Sequence, residues 1–310
     1  MPTDLARSAI LPPAPPAPER LVLPPPEFAA DYAAMVQLGG NRLRHSKVAF
    51  VGLARSCAAA LFGNLVRLEK LAACCREWCL HVEENDSDDD TVQVLTDFAA
   101  THRQATFASR RLGRESYSAE FGGRRTIALA EYRTDCQRWV KENAADADYV
   151  VVVDWDAWGG WWHDGVLAGF GSLVDRQGAY GMASVSLLET PMLTHDSGEP
   201  KVEQRWAHYD AWAMRGLGQP EVTWCDYTRG EGGWKHGWLP PVGSQPAIVA
   251  SAFGGMAIYR THPYLIGRYD GTTDCEHVSY HASIREAGEG YLYVCPSMRT
   301  FMRWMGDATR

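Results

Sequence analysis

The stretch that most constrains this 310-residue chain is Tyr149-Val150-Val151-Val152-Val153-Asp154-Trp155-Asp156. Four consecutive valines cannot alternate between core and solvent. The run therefore reads as a strand buried on both faces, as in the middle of a parallel sheet. It closes on two carboxylates one residue apart, at the strand end where open α/β sheets bind their ligands. A chain turning there can bring both acids to one cation. Hard oxygen ligands suit Mg²⁺ or Mn²⁺, ions that commonly bind through one or two carboxylates plus substrate phosphates. The plainer reading of such a pair is a solvated turn or a helix cap. The buried strand in front of it favours a metal–diphosphate site.

Upstream, strand and helix patterns alternate. Lys47–Leu53 reads as a strand, and Ser56 is placed to cap a helix whose Leu61, Leu65, Leu68, Leu71 and Cys75 recur at spacings of three and four. Trp78–Val82 and Gln104–Ala108 read as further strands, with helices at Val92–Ala100 and Ile127–Lys141. Strand, helix, strand, helix is the opening of a doubly wound sheet. The acidic run from Glu83 to Asp90 has the composition of a solvated, helix-starting loop. At the ligand edge of a sheet its carboxylates would instead accept hydrogen bonds from a ribose or a base. Arg110, Arg111, Arg114, Arg124 and Arg125 form a basic loop, and the guanidinium fork suits phosphate oxygens.

Beyond Asp156 the character changes. Trp158-Gly159-Gly160-Trp161-Trp162 offers flat indoles to a sugar, or else packing to the core. Glu189–Gln204 reads as polar and irregular, and a second glycine–tryptophan loop spans Arg229–Trp234. Ile248–Tyr259 reads as one strand interrupted at Gly254-Gly255, where backbone can approach a ligand closely. Thr272 opens a helix to Ala287 that places His277 and His281 one turn apart on one face, and Tyr291–Cys295 is a last strand. Residues 1–40 are set apart by Pro12, Pro13, Pro15, Pro16, Pro18 and Pro24–Pro26, which favour an extended polyproline tail, with a short helix expected at Glu27–Leu38.

Composition sets the outer bounds. With 46% hydrophobic residues the chain can bury a sizeable core. A formal charge of −8 argues against general affinity for nucleic acid or anionic membrane. No apolar run approaches the roughly 20 residues of a membrane-spanning helix, and no stretch reads as a signal peptide. Eight scattered cysteines fit reduced, buried thiols in a cytoplasm better than disulfides.

Several segments, in this order, carry a resemblance to glycosyltransferases of the GT-A fold, and among them to capsule-associated mannosyltransferase-like proteins. They are Val48–Arg55, Glu84-Asn85-Asp86-Ser87-Asp88, Ala130-Glu131-Tyr132-Arg133, Asp154-Trp155-Asp156, Tyr209-Asp210-Ala211-Trp212-Ala213, Phe253-Gly254-Gly255 and Asp274-Cys275-Glu276-His277. The resemblance covers about residues 45–300. It implies an α/β, Rossmann-like sheet, mostly parallel and flanked by helices, within a domain at 41–310. A nucleotide-binding half would occupy 41–156 and a sugar and acceptor half 157–310. It further implies transfer of a sugar from a nucleotide diphosphate sugar to a hydroxyl acceptor, with Mn²⁺ or Mg²⁺. Ala54, Arg55, Glu84, Asp86, Arg133, Asp154, Gly254 and Gly255 would then hold the donor. Asp154 and Asp156 would hold the metal, joined by His277 or His281. Glu276, with Asp274 second, would take the acceptor proton, while Trp158, Trp161, Trp162, Tyr209 and Asp210 shape the sugar and acceptor sites. The asparagine that follows the helical arginine in the family is Thr134 here, which leaves the base contact open. The expected acceptor is a glycan; the alternative is hydroxymethylated DNA, as for some virus-encoded transferases. A sugar-nucleotide nucleotidyltransferase would open on a glycine-rich phosphate loop, which Gly52-Leu53-Ala54-Arg55 is not, and an inactive binding module would not need the full acidic set. The expected setting is the cytoplasm of a bacterium or of a virus-infected cell, without an integral membrane contact.

Overall fold

The computed structural model describes residues 18–117, 120, 123–194, 201–210, 212–217 and 237–302. In chain order the elements are Ala29–Leu43 (α1), Lys47–Ala54 (β1), Ala58–Ala72 (α2), Glu77–Asn85 (β2), Thr91–Thr101 (α3), Ala105–Arg110 (β3), Arg124–Asn143 (α4), Tyr149–Asp154 (β4) and Gly160–Trp161 (β5). Then follow His163–Asp175 (α5), Ala179–Thr194 (β6), Lys201–His208 (β7), Arg215–Gly216 (β8), Ala247–Ser251 (β9), Met256–Arg260 (β10), Thr261–Ile266 (α6), Glu276–Glu286 (α7) and Tyr291–Phe301 (β11). One sheet runs β3-β2-β1-β4-β10-β6-β11-β9-β8, with β7 on β6 and β5 on β11.

The valine run is the inner strand that its composition demands. Val150 to Val153 are at most 2% exposed, and burying each contributes about 1.5–3 kcal/mol. Strands β3, β2, β1 and β4 are parallel, so their carboxyl ends share one edge. On the far side β4 meets β10 antiparallel, and the remainder is mixed. The expected α/β class holds, with the parallel half lying where the alternating pattern places it.

Three expectations are corrected. Glu189–Gln204 is not irregular: β6 and β7 pair antiparallel from Leu187↔His208 to Thr194↔Lys201. The segment Ile248–Tyr259 is two strands with different neighbours, since β9 pairs with β11 while β10 lies between β4 and β6. The double glycine is thus a crossing between strands. Ser56 does not cap α2. Its φ is +45°, Cys57 takes the cap position, and the amides of Cys57 and Ala58 donate to Thr91 and Asp89 from the acidic run. The proline-rich stretch gives way to helix α1, which packs along α5 so tightly that a Cβ at Gly39 would land on the Leu167 carbonyl oxygen. Pro12, Pro13, Pro15, Pro16 and the loop Arg229–Trp234 lie outside the described residues. The seven described cysteines are unpaired thiols, and no described helix is long and apolar enough to cross a membrane.

Candidate active site

A cavity of about 560 Å³ opens at the shared carboxyl edge of β1, β2 and β4. Leu53, Ala54 and Arg55 line one end, Asn85 and Asp86 the next, and Asp154 and Asp156 lie where β4 stops. Glu276 and His277, from the first turn of α7, face them, with Tyr209, Asp210, Trp212 and Phe253 beyond. A strand buried on both faces thus delivers two acids into a polar opening at its tip.

Burial, then the neighbouring Asp154 charge, pushes the Asp156 carboxyl up to about 7. Burial also raises Asp154, although the Arg133 guanidinium opposes it. Arg133, buried on α4, bridges the two sides: Nη2 donates to Asp154 at 3.1 Å and Nε to Glu276 at 2.9 Å. Burial works against its charge, and the two carboxylates outweigh that and raise its pKa. Its face lies 4.7 Å from the centre of the Phe253 ring, and His277 stacks on the same ring at 4.0 Å. Burial and the adjacent Arg133 hold the His277 imidazole well below its ordinary value. It is therefore neutral, and its 3.5 Å approach to Glu276 is not an ion pair. Both its ring nitrogens are buried without a hydrogen-bond partner.

Asp210 is the bracket of the double glycine. It accepts the Gly254 amide at 2.6 Å and the Ala213 amide at 3.3 Å, and burial raises it to about 7 against those bonds. Gly254 and Gly255 have φ of +69° and +76°, the region open to glycine. The Gly255 carbonyl in turn accepts the Asp154 amide at 2.9 Å, so the crossing fixes the end of β4.

A divalent cation fits these residues only with outside ligands. Among the described residues no group of three or more His, Cys, Asp or Glu side chains is gathered to hold an ion. Two adjacent carboxylates whose pKa values are raised chiefly by burial are nevertheless the donor set Mg²⁺ or Mn²⁺ takes when phosphates and water complete the shell.

Other expected residues lie elsewhere. His281 is not available to a metal, because Nδ1 is 2.9 Å from the Ser251 hydroxyl and Nε2 is 2.9 Å from that of Tyr259. Asp274 is off the cavity wall, bonded by Arg215 at 2.8 Å and by the Cys275 amide. Glu84 is spent on the Ser87 amide and the Ser109 hydroxyl. Asp86 accepts the Leu112, Gly113 and Arg114 amides; although burial pushes its carboxyl up, those bonds and one from Asn85 prevail and hold it at about 2. It pins the arginine-rich loop and has little capacity left for a nucleoside. The arginines expected in one loop are divided among three elements: Arg110 ends β3 and pairs with Glu83 and Asp135, Arg114 in the loop pairs with Glu131, and Arg125, in the first turn of α4, reaches the cavity. The three indoles are not on the cavity wall: Trp161 is 6% exposed and meets Trp155 edge-on, and Trp162 packs into the core. Sequence reasoning did not single out the lining residues Asn85, Tyr132 and Trp212. All three lie within the family-like segments, Asn85 between Glu84 and Asp86, Tyr132 next to Arg133 and Trp212 near Asp210, which was the available signal.

No protein-family profile matches the chain, and no curated protein matches it in sequence. Solved structures that it is similar to include a mannosyltransferase from Pyrobaculum calidifontis in complex with GDP-Man and Mn²⁺, at 11% identity and a TM-score of 0.46, covering 89% of this chain and 66% of that one. GalNAc-T7 with UDP, GalNAc and Mn²⁺ follows at 12% identity and a TM-score of 0.45, covering 96% and 57%. S. aureus TarS residues 1–349 gives 13% and 0.41, covering 82% and 60%. The chain spans less than two thirds of each.

Proposed function

We propose that this chain is a glycosyltransferase that moves a sugar from a nucleotide diphosphate sugar to a hydroxyl acceptor, with a divalent cation at Asp154 and Asp156. The observation that carries this reading is the carboxylate pair at the tip of β4, inside a cavity whose opposite wall holds Glu276. Beside it stands the ordered set of family-like segments described above. The nucleoside end falls at Ala54, Arg55 and Asn85, and the reacting end at Asp154, Asp156 and Glu276. When bound, the cation neutralises the charge that develops on the leaving diphosphate.

The chain's own groups do the rest. Asp210 and the double glycine hold the backbone of Asp154 in place. For a transfer that inverts the anomeric centre, Glu276 takes the proton of the attacking hydroxyl while the sugar–phosphate bond breaks and the new glycosidic bond forms. The acceptor is a glycan hydroxyl, in keeping with an acidic chain that a polyanion would not favour.

The test is a screen of nucleotide sugars by thermal stabilisation with and without Mn²⁺, followed by donor hydrolysis. One nucleotide sugar is expected to stabilise the protein in a Mn²⁺-dependent way, and Asp156→Asn, still folded, to lose hydrolysis by about 100-fold or more. Absence of any stabilising nucleotide sugar would remove the reading.

A further inference from the structure

Arg133 occupies an unusual position: one guanidinium joins the carboxylate assigned to the cation and the carboxylate assigned to the proton. Its Nη2 donates to Asp154 and its Nε to Glu276, and the side chains of Arg133 and Glu276 are 6% and 2% exposed. We propose that Arg133 is an internal stand-in for the divalent cation, holding Asp154 and Glu276 together until a cation displaces it from Asp154. This rests on the glycosyltransferase reading above.

The argument is one of shared ligands. A guanidinium and a divalent cation both seek the Asp154 carboxylate, so each weakens the other's hold by the same factor. Without the guanidinium, Glu276 would be left as a buried, uncompensated charge, and the quarter-exposed Asp154 would lose its counter-ion. Arg133 Nη1 is buried with no hydrogen-bond partner, so the fork already carries one unused donor and its present pose is not its best satisfied one. Phe253 covers its face, with Cζ 4.7 Å from the ring centre. Glu276, clamped by Nε of the same rigid guanidinium, is released as a proton acceptor when the cation displaces that group from Asp154. A site built this way resists activating a hydroxyl before the donor and its cation are in place.

Manganese alone is the probe, measured by the free-ion paramagnetic resonance signal without nucleotide. Arg133→Gln, shown folded by circular dichroism, is expected to bind Mn²⁺ about tenfold tighter or more than wild type, each tenfold being about 1.4 kcal/mol. Since removing Arg133 strands Glu276, the double variant Arg133→Gln with Glu276→Gln carries the same expectation in a charge-balanced core. Equal or weaker Mn²⁺ binding in the folded variants overturns the inference. A wild type that binds no Mn²⁺ even with a nucleoside diphosphate overturns the transferase reading and this inference with it. A wild type that binds the pair while the variants gain nothing overturns this inference alone.

Discussion

Asp156 ties the chemistry of the site to pH. Its carboxyl has an ordinary value of 3.8 and is raised to about 7 in the fold by burial and by Asp154. Between those values the folded chain keeps a proton that the unfolded chain has released. The stability this group contributes is therefore present below pH 3.8 and is lost as pH rises through 7. Asp156→Asn abolishes that loss. In the absence of cations the variant is expected to be more stable than wild type at pH 8 by on the order of 1–3 kcal/mol, with the gap narrowing at pH 5, as read by urea denaturation. Mn²⁺ affinity of the wild type is expected to rise across the same range, because the cation must displace the proton. At this scale the sequence was most legible where a charge sits against its surroundings. Asp154 and Asp156 end an apolar strand, and Arg133 and Glu276 sit on helices whose neighbours are buried. It was least legible for tryptophans, since an indole has the same chemistry in a core as on a sugar platform. Trp161 and Trp162 went to the core because β5 folds back on β11, a pairing that no local pattern announces.

Elements show the same division between local and distant causes. The strands β1, β2 and β4 are readable as short apolar runs, and the helices α2 and α4 from apolar spacings of three and four. Their ends were not, because Ala54 and Asn85 extend their strands through pairing with neighbours far along the chain. In the sequence, Gly254-Gly255 reads as an interruption of one strand; only the partners of β9 and β10 reveal two. A Cβ on Gly254 would fall on the Ser184 carbonyl oxygen at a φ that side chains avoid. Gly254→Ala is expected to cost about 1–3 kcal/mol in stability. It should also lower turnover more than a mutation of equal cost elsewhere, since Gly255 supports the Asp154 backbone; denaturation and steady-state kinetics on one preparation compare the two. At Gly39, where α1 meets the α5 backbone, Ala is expected to destabilise by about 1–3 kcal/mol without a specific effect on the donor KM.

Across the molecule, the two halves share one sheet. Strand β4 pairs with β1 on one side and with β10 on the other, and the cavity takes residues from both halves. Circular dichroism and tryptophan fluorescence are accordingly expected to report one coincident unfolding transition. A donor with Mn²⁺ should raise that single midpoint, with about 2.7 kcal/mol of stabilisation at a hundred times its Kd; two separated transitions would refute the shared core. The ring of Phe253 lies against both the bridging Arg133 and the uncharged His277. One hydrocarbon disc is thus neighbour to both, and any replacement disturbs both at once. Selection has little freedom at the centre of this molecule. On the glycosyltransferase reading, a change of sugar or acceptor would come from remodelling its periphery.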